Sequence, residues 1–180
     1  MKNSRNKAKR ILNAAQIKVI LERFAREMAK QYGSFDQVAF IGVRTRGPYI
    51  AKRLAEIVKK RHGKEIPIGE MDITLYRDDL NALLPGGTID HTRVPFDIAG
   101  KIVVLFDDVL NTGRTVRAAV DHLIDLGRPR MIHLAVMIDR GGRELPIAAN
   151  YVGKRIDLKA GGNVEVKLKE VDRTDEVLVQ

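Results

Sequence analysis

Two adjacent carboxylates, Asp107 and Asp108, follow directly on the apolar run Ile102-Val103-Val104-Leu105-Phe106, and Thr112-Gly113-Arg114-Thr115 comes shortly after. The run reads as a buried strand that stops at the acids, and the second group opens a helix after a short turn. Val116, Ala119, Val120, Leu123 and Ile124 repeat at helical spacing until Gly127. A helix start leaves about four backbone N–H groups unpaired and carries the positive end of the helix dipole. Threonine hydroxyls, an arginine and a glycine that lets the backbone approach closely make a phosphate cradle of such a start. Acids on the strand side accept hydrogen bonds from sugar hydroxyls, directly or through a hard cation. One ligand gripped from both ends would be a sugar phosphate. A plain strand end and an ordinary capped helix would use the same residue types. Two other nucleotide cradles are excluded, because no Gly-Lys-Ser/Thr occurs and no G-x-G-x-x-G follows a strand.

The elements that must position these groups are legible around them. Ile17, Ile20, Leu21, Phe24 and Met28 form an apolar stripe that predicts a helix over 14–32, ended by Gly33. Residues 38–43 read as a strand and Arg44-Thr45-Arg46-Gly47 as the turn after it. Pro48 suits a first helical turn, so 49–61 reads as a helix closed by Gly63. Residues 66–75 are expected to be extended, 76–92 irregular, 131–138 a further apolar strand and 139–146 a loop. Short strands are expected at 151–152 and 164–168. The recurring strand, turn, helix, strand pattern predicts an α/β fold, a mostly parallel sheet flanked by helices. In such sheets ligands bind at the carboxyl ends of strands, where the turns after Val43, Phe106 and Ile138 should converge.

Residues 104–115 carry hydrophobic residues, two acids, a short spacer and T-G-x-T, and so resemble the signature of the type I phosphoribosyltransferases, which bind phosphoribosyl pyrophosphate (PRPP). The resemblance narrows to the members that regulate the pyrimidine operon and also transfer phosphoribosyl to uracil. It is carried by Val43-Arg44-Thr45-Arg46-Gly47, by residues 72–80, 107–117 and 139–146, and with their surroundings covers nearly the whole chain. It implies the type I fold with a flexible hood, placed on Tyr76, Arg77, Asp78 and Asp79. Asp107, Asp108 and Arg46 are the implied catalytic residues. Asp107, Asp108, Val109, Leu110, Asn111, Thr112, Gly113, Arg114 and Thr115 would hold the ribose and its 5-phosphate. Thr45, Arg46, Gly47 and Arg77 would hold pyrophosphate, and Arg140 and Val164 the base. Magnesium is expected to arrive with PRPP rather than in a resident site. The chain departs from the family at Gly142, where histidine is usual, and at Asn111, where tyrosine is usual.

The implied reaction joins uracil to PRPP, giving UMP and pyrophosphate. The implied regulation is binding of leader mRNA with a uridine nucleotide, UMP or UTP, as co-ligand. The alternative is a uracil or purine phosphoribosyltransferase with no RNA-binding role. The chain's own support for RNA is its net charge of +9 and pI near 9.9, contributed in part by Arg140, Arg143, Lys154, Arg155 and Lys159. The 180 residues fit a single domain, with a mobile basic tail expected over 1–10. Absence of cysteine excludes a disulfide framework and a thiolate zinc site. No stretch reaches the roughly 20 apolar residues needed to span a bilayer, and no secretory signal opens the chain, so a cytoplasmic protein is expected. A homo-oligomer, dimer or tetramer, is expected from the family. The four histidines show no ligand spacing.

Overall fold

Alternation along two adjacent strands decides the layering. β2 (Val38–Val43) is buried throughout, and β4 (Ile102–Leu110) is buried over its first half. Phe40, Val104 and Phe106 pack with α1 (Ala14–Tyr32) and α2 (Gly47–His62) on one side. Ile41, Val103 and Leu105 pack with α3 (Arg114–Leu126) on the other. Strands buried on both faces are the mark of a parallel sheet covered by helices. Each large side chain here contributes about 1.5–3 kcal/mol relative to exposure.

This computed structural model describes residues 8–73, 91–158 and 162–180. Its main sheet is parallel, in the order β3–β2–β4–β5–β6, with β3 at Ile68–Met71, β5 at Met131–Asp139 and β6 at Tyr151–Arg155. From β2 the chain passes through α2 outward to β3, whereas from β4 it passes through α3 in the opposite direction to β5 and β6. The order therefore reverses between β2 and β4. A crevice opens at such a reversal, outside the carboxyl ends of the two strands.

A second, antiparallel sheet joins β1 (Lys9–Asn13), β8 (Glu176–Val179) and β7 (Val164–Lys167), with the short α4 (Lys169–Asp172) between β7 and β8. Lys9 and Arg10, expected in the basic tail, thus lie in a paired strand. A capping box between Asn13 and Gln16 starts α1 directly after it.

Two other expectations are corrected. β4 does not end at the acids but runs through them to Leu110, because β5 continues beside it and pairs Asp107 with Val136 and Leu110 with Asp139. Ile124, counted in the apolar stripe of α3, is 60% exposed, while His122 of the same helix is buried. None of the helices described is long and apolar enough to cross a membrane.

Candidate functional site

Close backbone packing fixes the first wall of the crevice. A Cβ on Gly47 would lie 2.3 Å from the Phe106 carbonyl oxygen, and one on Gly42 would lie 2.1 Å from the Pro48 nitrogen. Only glycine at both positions lets the first turn of α2 press against β2 and β4. Gly47 is accordingly buried in packing, while Thr45 just before it is exposed at the rim. The Arg44–Thr45 peptide is cis, and the Arg44 N–H donates to the Met71 carbonyl at 2.9 Å. Arg46 caps α2 without a side-chain capping bond. Its guanidinium reaches across to the C-terminal segment, where Nε donates to Asp172 Oδ2 at 3.0 Å and Nη2 to Asp172 Oδ1 at 2.7 Å. The remaining nitrogen, Nη1, lies 3.8 Å from Asp108 Oδ2.

The acidic pair forms the floor. Asp107 is 6% exposed and its Oδ1 accepts the Asp108 N–H at 2.9 Å. Burial, then the neighbouring Asp108 charge, push the Asp107 carboxyl well above the usual range. Asp108 is also raised by burial, against the pull of Arg46. Two carboxylates so close, one of them buried, resist carrying two charges at once. Val109 and Leu110 turn their side chains to the two cores, so whatever they offer a ligand is backbone.

The opposite wall is the start of α3. Gly113 is its N-cap, at φ +94°, and no side chain caps it. Thr112 Oγ1 accepts from the Arg114 N–H at a long 3.3 Å. Backbone N–H groups at the positive end of a helix suit a phosphate. Arg114 Nε donates to Glu144 at 2.7 Å on the half-exposed surface, and Thr115 is partly buried.

The loop after β5 is laced to this wall. The Thr112 carbonyl accepts the Glu144 and Leu145 N–H groups at 3.0 and 3.2 Å, and the Leu110 carbonyl accepts that of Arg140 at 3.0 Å. Arg143, counted from sequence as surface charge, is the knot of this lacing. It donates to the Asn111 carbonyl at 2.7 Å, the Ile147 carbonyl at 3.0 Å and Asp139 Oδ1 at 2.5 Å. Its spacing of four residues from Asp139 was the one available hint. Arg140 Nη2 donates to the Gly162 carbonyl at 2.8 Å, which brings the start of β7 beside the loop. Val164 itself is packed in the core of that region. Gly142 sits at φ +73°, and a Cβ there would meet Asn111 Oδ1 at 2.9 Å, so the two departures from the family pattern face each other. A cavity of about 480 Å³ lies between this loop and the end of β6, lined by Asp139, Gly141, Arg143, Arg155, Ile156 and Asp157.

The structure thus gathers Arg46, Asp107, Asp108, the 111–115 segment and the 140–147 loop at one rim. Arg77, the rest of the expected hood at 76–79 and Lys159 lie outside the described residues. Asp172, which holds Arg46, carried no signal in the sequence; its partner lies 126 positions away.

The fold and this rim define a class of protein. The family model described as the phosphoribosyl transferase domain matches residues 7–170, and the chain belongs to the type I phosphoribosyltransferases. Within that class it falls among the PyrR proteins. It is 48% identical over 167 residues to the bifunctional protein PyrR of Thermus aquaticus, covering 93% of this chain and 92% of that one. The PyrR of Deinococcus radiodurans is 52% identical over 165 residues, with 92% and 90% covered. Among solved structures, a hypoxanthine phosphoribosyltransferase of Staphylococcus aureus superposes with TM-score 0.71 at 19% identity, covering 94% of this chain and 90% of that one. That of Trypanosoma cruzi gives 0.72 at 16%, with 95% of each chain covered. At such identities the structures speak to the fold alone.

Proposed function

We propose that the protein transfers phosphoribosyl from PRPP to uracil, releasing UMP and pyrophosphate, and that it regulates a pyrimidine operon by binding leader mRNA. The observation that carries the enzymatic half is the meeting, at one reversal of strand order, of an acidic pair of which Asp107 is buried, the glycine-capped start of α3 and an arginine. The relatives' shared name, bifunctional PyrR, supports the pairing of enzyme with regulator.

Asp107 and Asp108 hold the ribose 2- and 3-hydroxyls. Amides and hydroxyls of 111–115 receive the 5-phosphate, and Arg46 with Thr45 receives the pyrophosphate. As the bond from C1 to pyrophosphate breaks, positive charge develops on the ring and negative charge on the leaving group. The acids lie toward the first and Arg46 toward the second, so fixed charge stabilises both. The loop at 140–147 offers Arg140 and backbone groups to the two carbonyls and the N–H of uracil. Because Arg143 ties that loop to Asn111, base and ribose are held in one register, which favours attack on C1.

The donor set fits magnesium that arrives on PRPP. Among the described residues no cluster of three or more acids or histidines could hold a metal alone, and a pair of carboxylates suits an ion completed by substrate oxygens and water. When bound, magnesium neutralises charge on the pyrophosphate oxygens.

Regulation draws on the same pocket: a uridine nucleotide that orders the 140–147 loop would favour the conformation RNA binds. The protein is expected to act in the cytoplasm as a homo-oligomer. Uracil-dependent pyrophosphate release tests the enzyme, with a panel of purine bases as the competing reading. Affinity for a leader hairpin that falls steeply with salt and rises with UMP tests the regulator. Equal affinity for a scrambled RNA, indifferent to UMP, would reject the regulatory half alone.

A further inference from the structure

Two arginines of α2, Arg46 and Arg53, are gripped by acids from the segment around α4, and the two grips differ. Arg53 donates to Glu170 at 2.8 and 2.5 Å and to Asp175 at 2.7 Å, and its side chain is the less exposed of the two. That contact fastens the C-terminal segment to α2. Arg46 adds a bidentate pair with Asp172 that uses Nε and Nη2 and leaves Nη1 as the nitrogen nearest Asp108. Asp172 is itself fixed, because its Oδ2 also accepts the Leu168 N–H at 2.9 Å.

A guanidinium on three rotatable carbons samples many orientations, and a fork-to-fork carboxylate pair selects one of them. We propose that Asp172 is a positioning residue that aims Arg46 at the pyrophosphate, and so links the antiparallel sheet to the catalytic rim. The inference deepens the reading of Arg46 as the pyrophosphate group and rests on it. Mutual stabilisation accords with the pair: hydrogen bonding to Arg46 holds the Asp172 carboxyl below its usual range, and hydrogen bonding to Asp172 raises Arg46.

The test is a cycle read by calorimetric titration of inorganic pyrophosphate, with steady-state kinetics beside it. Asp172→Asn keeps a carbonyl oxygen for the Leu168 N–H but turns an amide toward Arg46, so it separates aiming from local structure. It should weaken pyrophosphate binding about tenfold, the scale of one charge-assisted contact, and raise the KM for PRPP while that for uracil stays put. In an Arg46→Ala background the same change should have almost no further effect. Glu170→Gln, which loosens docking through Arg53, should leave pyrophosphate affinity unchanged. An equal loss from Asp172→Asn in both backgrounds overturns the positioning role, as does tighter binding, which would mean that Asp172 competes with the ligand. If Arg46→Ala leaves pyrophosphate binding intact, the assignment of Arg46 itself fails, and the positioning role with it.

Discussion

The acids of β4 and the acids around α4 are the same chemical group in opposite states. Asp107 is buried and Asp108 half-buried beside it; among the described residues Arg46 is the cation that pulls on Asp108, yet burial pushes both carboxyls up. Burial is the largest single influence on Glu170 and Asp175 and raises them, but the bond and charge of Arg53 together with a backbone N–H pull both down, while Asp172 is pulled down chiefly by Arg46. The first group has unfilled acceptor capacity at the rim of a crevice. The second is saturated by the protein's own donors. Proteins tolerate raised, incompletely paired carboxylates where a ligand completes them. The difference separates the part of the molecule that awaits a substrate from the part that fastens one element to another.

The strongest way to break this contrast is to neutralise the poised pair. Asp107→Asn combined with Asp108→Asn should lower uracil-dependent pyrophosphate release by about a thousandfold or more, the scale on which lost electrostatic preorganisation is felt. The fold should persist, since the Asp107 carbonyl oxygen still accepts the Asp108 N–H. Near-normal turnover would sink the ribose assignment. The next largest effect should come from Arg143→Ala, which removes the donor to the carbonyls of Asn111 and Ile147 and takes the guanidinium from Asp139, leaving it the Gly141 N–H. A loss of about 2–4 kcal/mol in denaturant unfolding is expected from removing charged and neutral bonds together, with a larger rise in the KM for uracil than in that for PRPP. Equal rises would mean that the loop after β5 does not carry the base.

What the sequence made legible follows the same division. Strong periods betrayed the parallel sheet: residues 14–32 and 38–43 read from their apolar spacing coincide with α1 and β2. The rim was readable because strand, acids and helix start are contiguous in the chain. Of the antiparallel sheet only β7 was, within the strand expected at 164–168; β1 has only Ile11 and Leu12 as apolar residues and gains its identity from β8, more than 160 positions away. Short strands owe their existence to such partners. Composition misled in one respect. Charge counting treats every arginine as surface, yet Arg23 donates to the carbonyls of Val152 and Gly153, and Arg46, Arg53, Arg140 and Arg143 are likewise engaged internally. Any RNA surface must therefore draw on other cations, such as Arg155, whose side chain is 77% exposed.

Smaller effects sharpen the contrast from the saturated side. Glu170→Gln with Asp175→Asn should reduce stability by about 1–3 kcal/mol near neutral pH, because Arg53 is left part-buried without its anions. Turnover at saturating substrates should hold. A fall in turnover without a fall in stability would place these acids with the poised group instead.

The subtlest test is the sign of a pH dependence. A carboxyl whose folded pKa is lowered contributes stability that is complete above its unfolded value, about 4, and vanishes as pH falls through the lower folded value. Glu170, Asp172 and Asp175 belong there, and they should make the protein labile to acid. A raised carboxyl behaves oppositely: its contribution is complete below about 4 and is lost as pH rises through the raised folded value. Asp107 belongs there. Asp107→Asn should therefore match the parent protein in stability near pH 4 and exceed it increasingly toward neutral pH, as measured by urea unfolding across that range. A variant that is less stable at neutral pH than at pH 4, relative to the parent, would show that the Asp107 charge is already balanced inside the protein, and the distinction between poised and saturated acids would dissolve.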